Sequence, residues 1–194
     1  MMNVKKINKT DLRITKTIGK LRQAFSSMMA DMPFDQITVF DLCEKAGIRR
    51  ATFYKHFKDK YDFLSFIVSL IQEDIVKKIE SLDNINTPLD FYTRYITEIL
   101  NYLNGIGEIV SNILNSPLFP EMLNIIIYRT FRSLCKDLYD DESRGLKLPA
   151  ELGVTAGFIN GGISHIIVNF LRYKNTTEAE LISDIRAILG KILN

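Results

Sequence analysis

The chain has 194 residues, 46% of them hydrophobic and 25% charged, a composition that excludes intrinsic disorder and supplies ample material for a core. Its net charge of +2 hides an uneven distribution: residues 1–64 hold 13 Lys/Arg against 7 Asp/Glu, and residues 65–194 hold 12 against 16, balances of +6 and −4. Such a split suggests a polyanion-binding module joined to a body with another task, although a solvated basic face would give the same count. Cys43 and Cys135 lie far apart, with no CxxC and no neighbouring His cluster, so neither a zinc site nor a disulfide framework is expected. The basic N-terminus MMNVKKINK is not followed by an apolar run of signal-peptide length, and a reducing cytoplasm is the expected location.

From Ile14 the apolar residues Ile14, Ile18, Leu21, Phe25, Met28 and Met32 trace one helical face, which predicts a first helix from about Thr10 to Asp31, ended by Pro33. Thr38, three residues before Asp41, makes a variant capping box that starts a short second helix over Val39 to Ala46. Gly47 stands where a helix end needs a residue tolerant of positive φ, and a third helix from about Arg49 to Phe57 follows. Two short helices across a tight glycine turn are the helix-turn-helix arrangement. Lys60 opens a long fourth helix bearing Leu64, Ile67, Val68, Ile71, Ile75, Ile79 and Leu82 at helical spacing.

The remainder carries no strand signal. Thr87-Pro88 starts a helix ended by Gly105, a short helix covers about Glu108 to Leu114, and another runs from about Glu121 to Tyr139, closing in the turn-like DDESRG. A long apolar helix is expected from Pro149 to about Tyr173, and Thr177 with Glu180 caps a last one to Leu193. The expected fold is therefore all-α, with about nine helices: an N-terminal three-helix helix-turn-helix domain over residues 1–60 and a helical regulatory and dimerisation domain over 61–194.

A helix that enters the major groove needs polar groups on its reading face and apolar groups on its supporting face. Arg49, Arg50, Thr52 and Lys55 supply the first set, and Ile48, Phe53 and Phe57 the second. Tyr54 and His56 interleave as neutral donors suited to phosphate oxygens, and Lys60 adds charge at a helix start.

The stretch ITVFDLCEKAGIRRATFYKHFKDKYDFL, Ile37 to Leu64, resembles the DNA-binding domain of the TetR/AcrR family of transcriptional regulators. The resemblance rests on Ile37-Thr38-Val39, Ala46-Gly47-Ile48, Thr52-Phe53-Tyr54, His56-Phe57 and Lys60 followed by Leu64. It implies Thr38, Thr52, Tyr54, His56 and Lys60 as phosphate contacts, with Arg49, Arg50, Ala51 and Lys55 nearest the base edges. Where the family commonly has a small hydroxyl residue after Ile48, this chain has Arg49, which puts the cap of the third helix in doubt. An arginine there can bond bidentately to guanine.

Gly153, Gly157 and Gly161 recur every four residues in the long apolar helix, and each costs roughly 1 kcal/mol relative to alanine. Close helix packing is the compensating reason expected, either within the chain or between two copies. The resemblance implies the latter, a four-helix homodimer interface built by the last two helices, with His165 on it. The same stretch, Leu152 to Leu171, is long enough to raise a membrane span, but it contains Asn160, His165 and Asn169 and has no aromatic belt. An effector pocket among the middle helices is also implied, lined by Phe91, Tyr92, Tyr95, Tyr102, Met122, Ile126, Tyr128, Arg129 and Phe131. Aromatics at helical spacing are more often plain core than a binding box.

No enzyme is expected. The chain has only His56 and His165, with no GxSxG, no HExxH and no Gly-rich phosphate loop, and no metal or cofactor is implied. The expected function is a homodimeric regulator of operator DNA, a repressor relieved by a small-molecule effector. A co-regulator of the same fold acting through a protein partner is the alternative.

Overall fold

A computed structural model describes residues 9–83 and 85–193, with side chains from residue 14 onward. The basic start of the chain, residues 1–8, where no signal peptide is expected, lies outside the described residues. Nine α-helices and no strand occur among the described residues: α1 (Lys9–Asp31), α2 (Val39–Ala46), α3 (Arg50–Tyr54), α4 (Lys60–Glu80), α5 (Pro88–Gly105), α6 (Gly107–Leu114), α7 (Phe119–Ser143), α8 (Leu152–Tyr173) and α9 (Glu178–Ile192). A single 3-10 turn, Phe34–Gln36, bridges α1 and α2.

The caps explain most of these boundaries. Thr38, Thr87 and Thr177 each accept from the backbone N–H three residues on, and Pro88 occupies the first turn of α5. Thr177 and Glu180 form the full reciprocal box, with the Thr177 amide donating to Glu180 Oε2 at 2.9 Å. Three boundaries differ from the sequence expectation. Helix α7 runs through the acidic DDES stretch, because acidic residues do not stop a helix; Gly145, at φ 108, does, and the Leu146 amide closes the end on Asp141 O at 3.0 Å. Helix α8 starts at Leu152 rather than Pro149, because the Glu151 side chain accepts from the Val154 amide and acts as its N-cap. Helix α3 is shorter than expected, and its end tightens as the His56 amide bonds Phe53 O at 2.9 Å.

The described residues form two compact units, residues 9–64 with 108–119, and residues 65–107 with 120–193. This discontinuous arrangement is not expressed by a single boundary at residue 60. In the first unit, Asn112 Nδ2 donates to Met29 O and Ala30 O, each at 2.9 Å, and so satisfies carbonyls that the end of α1 would leave without partners. The core of the second unit is built from α5 (Tyr92, Ile96, Leu100), α7 (Leu138), α8 (Ala156, Ile159) and α9 (Leu181, Ile185, Leu189).

Candidate nucleic-acid interface

Helix α2 buries Leu42, Cys43 and Ala46, and then turns sharply. Gly47 makes the turn at φ 63, ψ 40, with its amide on Glu44 O and the Ile48 amide on Cys43 O, each at 3.0 Å. This is a doubly bonded glycine C-cap, a conformation a β-carbon would strain. Helix α3 leaves the turn with Phe53 fully buried. The Phe53 ring lies 5.4 Å from Phe57 and 5.8 Å from Phe63, and Phe63 in turn lies 5.3 Å from Phe25 and 4.9 Å from Phe57. Rings at these separations and tilted angles attract beyond simple burial. The aromatic cluster therefore fixes which side of α3 faces inward.

The opposite side is open. Arg49, Arg50, Ala51, Tyr54, Lys55 and His56 are exposed, and Thr52 is half-buried. Arg49 is the N-cap of α3 in extended geometry with no side-chain cap bond, so the unusual arginine leaves the helix start uncapped. Tyr54 is 56% exposed, and its ring meets that of Phe53 edge to face with centroids 5.5 Å apart.

Two residues expected at phosphates have other partners. The Lys60 ammonium donates to Phe34 O and Ile37 O at 2.9 Å and to Asp35 O at 3.2 Å, which engages all three of its protons. Burial pushes its pKa down, with Asp35 opposing. The start of α4 is equally occupied: Asp59 Oδ1 accepts from the amides of Tyr61 and Asp62 at 2.8 Å, and Asp62 accepts from the Lys58 amide at 3.0 Å. A carboxylate thus already caps the helix start at which Lys60 stands. Thr38 is exposed, but its hydroxyl donates to Asp41 Oδ2 at 2.6 Å while accepting from the Asp41 amide. Sequence reasoning missed Phe40, which is 54% exposed and has the Arg50 guanidinium 5.5 Å from its ring centroid. Its signal was an aromatic set off the apolar stripe of α2.

In the second unit, Phe91 and Tyr95 stack with centroids 6.3 Å apart. Tyr92 is buried and donates to Asp141 Oδ2 at 3.1 Å, and burial pushes the Tyr95 phenol up to about 12. Burial also raises the Asp137 carboxyl, against the lowering effect of Lys136. Arg129 Nε donates to Ser65 Oγ at 2.5 Å, Met122 is fully buried, and Tyr102, Ile126 and Phe131 are half-buried. Tyr128 stands apart from this group: it is 60% exposed, with the Arg132 guanidinium 5.9 Å from its ring. It lies on the outer side of α7, which corrects its place in an interior lining.

Helix α8 is apolar on its exposed side as well as on its buried one. Thr155, Ala156, Ile159 and Asn160 are buried, whereas Val154 (63%), Phe158 (71%), Gly157, Gly161, Gly162 and His165 are exposed. A β-carbon at Gly161 or Gly162 would meet nothing within 4 Å, and one at Gly157 would meet only Phe131 at 3.8 Å. The nearest neighbour of Gly153 is the chain's own Glu151 carboxylate, 3.2 Å from such a carbon. Close packing within the chain therefore does not account for Gly161. His165 Nε2 lies 2.8 Å from Asn169 Nδ2 on the same helix. By length and composition α8 could cross a membrane, with mean hydropathy 1.4.

Residues 24–65 match the family model of bacterial regulatory proteins, tetR family. The HTH-type transcriptional regulator YxbF of Bacillus subtilis (strain 168), itself uncharacterized, is 33% identical over 82 residues, 42% of this chain and 21% of that protein. The match thus spans about a fifth of that relative's length. Among solved structures, the dihydroxyacetone kinase operon activator DhaS superposes with a TM-score of 0.59 at 19% identity, over 92% of this chain and 98% of its own. A chain assigned to the TetR family from Syntrophomonas wolfei gives 0.65 at 13% identity, over 91% and 94%. Both structures show the shared all-helical fold.

Proposed function

We infer that this chain, which belongs to the tetR family of bacterial regulatory proteins through its N-terminal domain, regulates transcription by binding double-stranded operator DNA as a homodimer. The observation that carries this reading is the exposure of Arg50 and Tyr54 on α3 and of Arg49, Lys55 and His56 at its two ends, on a helix oriented by the buried Phe53. A face of that composition, in the +6 third of the chain, suits a polyanion. Dimerisation is supported by the exposed Val154–Phe158 side of α8 and its unexplained glycines, which let a second helix approach closely. An interface is favoured over a membrane span, because Asn160 bonds Ile127 O at 3.0 Å on one side and His165 lies on the other. A cytoplasmic location is part of the same proposal.

Occupancy of the operator is proposed to repress, and a small molecule held between α5 and α7 to relieve it. The supporting feature is segment 108–119, which belongs to the DNA-binding unit yet continues directly into α5 and α7 at its two ends. The reading is of a regulator, not an enzyme. Selection of random duplexes by the purified protein tests it: enrichment of a two-fold symmetric sequence supports DNA regulation, and no enrichment turns the case to a co-regulator. A ligand screen by thermal shift, followed by release of DNA, tests the effector.

A further inference from the structure

Phe40 lies in the first turn of α2, off its buried stripe, and 54% of a large apolar side chain is left in water. The guanidinium carbon of Arg50, the first residue of α3, stands 5.5 Å from the centroid of that ring. The ring contact is joined by the electrostatic influence of the same guanidinium on the buried Cys43 thiol. The chemistry of the ring contact matters. A carboxylate partner would take up the guanidinium fork, whereas the π face of an aromatic ring attracts the cation and uses none of its five N–H donors. The fork is thereby restrained while staying free for a base edge. A small or polar residue at position 40 would leave the long Arg50 side chain to sample its rotamers before each encounter with DNA.

We propose that Phe40 is a specificity-determining residue of the operator interface, which acts by positioning Arg50 for a bidentate contact with guanine. The proposal rests on the DNA-binding reading above and goes beyond it by tying one base preference to a residue in the first helix of the motif. Phe40 itself touches no reacting or reading atom in this account, so its effect appears only through Arg50.

The test uses the duplex selected by the wild-type protein, its single-base variants, and the proteins Phe40→Ala, Phe40→Tyr, Arg50→Ala and Phe40→Ala/Arg50→Ala. Phe40→Ala is expected to weaken operator binding by about two- to five-fold per half-site, the strength of an exposed cation–π contact. It should flatten preference at the same base position that Arg50→Ala flattens, leave the salt dependence unchanged, and leave the melting temperature near that of the wild type. Phe40→Tyr, which keeps a π face, should restore the preference, and the double variant should bind no worse than Arg50→Ala. Losses that multiply in the double variant overturn the proposal, as does a preference in Phe40→Ala that is intact or altered at another position. A wild-type protein that enriches no sequence overturns the DNA reading itself and this inference with it, whereas enrichment by a wild type indistinguishable from Phe40→Ala overturns the inference alone.

Discussion

Lys60 Nζ donates to Phe34 O at 2.9 Å and stands 4.6 Å from the centroid of the same residue's ring, so one ammonium holds both the backbone and the side chain of Phe34. The bond spans 26 positions of sequence and pins the turn between α1 and α2 to the start of α4. Lys60→Met should therefore lower stability by about 1–3 kcal/mol, the cost of leaving carbonyls without a charged donor. The salt dependence of DNA binding should be unchanged. A phosphate contact would give the opposite pattern, little loss of stability and a log K against log salt slope shallower by about 0.9. Denaturant melts and salt titrations of this one variant separate the two roles.

This residue also shows where sequence reading stops. The caps at Thr38, Thr87 and Thr177 and the glycine turn at Gly47 are local chemistry over four or five positions, and they are legible. The exposed side of α3 is legible too, since Phe53 and Phe57 set the inward side by period alone. The partners of Lys60 lie 23 to 26 residues away, and that contact depends on how the aromatic cluster folds. Phe40 escapes for the same reason, because its meaning lies in Arg50 across the turn. The end of α7 is not legible from polarity, since an acidic run looks like a turn while the chain turns only where Gly145 permits positive φ.

Glu98 supplies a second test, in the second unit. Its side chain is 3% exposed and is paired with Lys78 and, at 2.6 Å, with Arg94 Nη2. Burial alone would raise its pKa, and the two cations outweigh that to bring it below the usual value near 4.5. A depressed folded value means that the stabilisation is complete above the unfolded pKa and is lost as pH falls through the folded one. Glu98→Gln should cost about 1–3 kcal/mol at neutral pH and should remove part of the acid sensitivity below about pH 4.5. Urea midpoints from pH 7 down to pH 3 check both.

Gly161 separates the fold of one copy from the association of two. Because nothing lies within 4 Å of a β-carbon there, Gly161→Leu should leave each copy folded and gain up to about 1 kcal/mol of helix propensity. It should abolish the proposed dimer, since in that reading the same side chain would stand between two closely approaching α8 helices. Sedimentation at micromolar concentration, with circular dichroism beside it, reads the two effects. A dimer that persists in the variant would move the interface elsewhere.

Arg49 offers the sharpest opposition between stability and recognition. It caps α3 with no side-chain bond, at φ −76 and ψ 139, an extended conformation that serine adopts freely. The amide of Ala51, in the first turn, has no backbone bond of the kind that the Thr52 amide makes to Arg49 O at 2.8 Å. Arg49→Ser places a hydroxyl acceptor at the helix start, and a good N-cap is worth about 0.5–2 kcal/mol. The variant should therefore melt at a higher temperature than the wild type. It also loses one cation per copy from the face proposed to meet DNA. If Arg49 lies at a phosphate, affinity should fall for every sequence and the salt slope should become shallower by about 0.9 for each phosphate that the guanidinium neutralises. If it lies at a base edge, one position of each half-site should lose its preference by about 1–3 kcal/mol instead. Thermal melts combined with salt titrations on matched and mismatched duplexes distinguish these outcomes. A variant that is more stable and binds DNA as tightly as before, with an unchanged slope, would remove Arg49 from the interface.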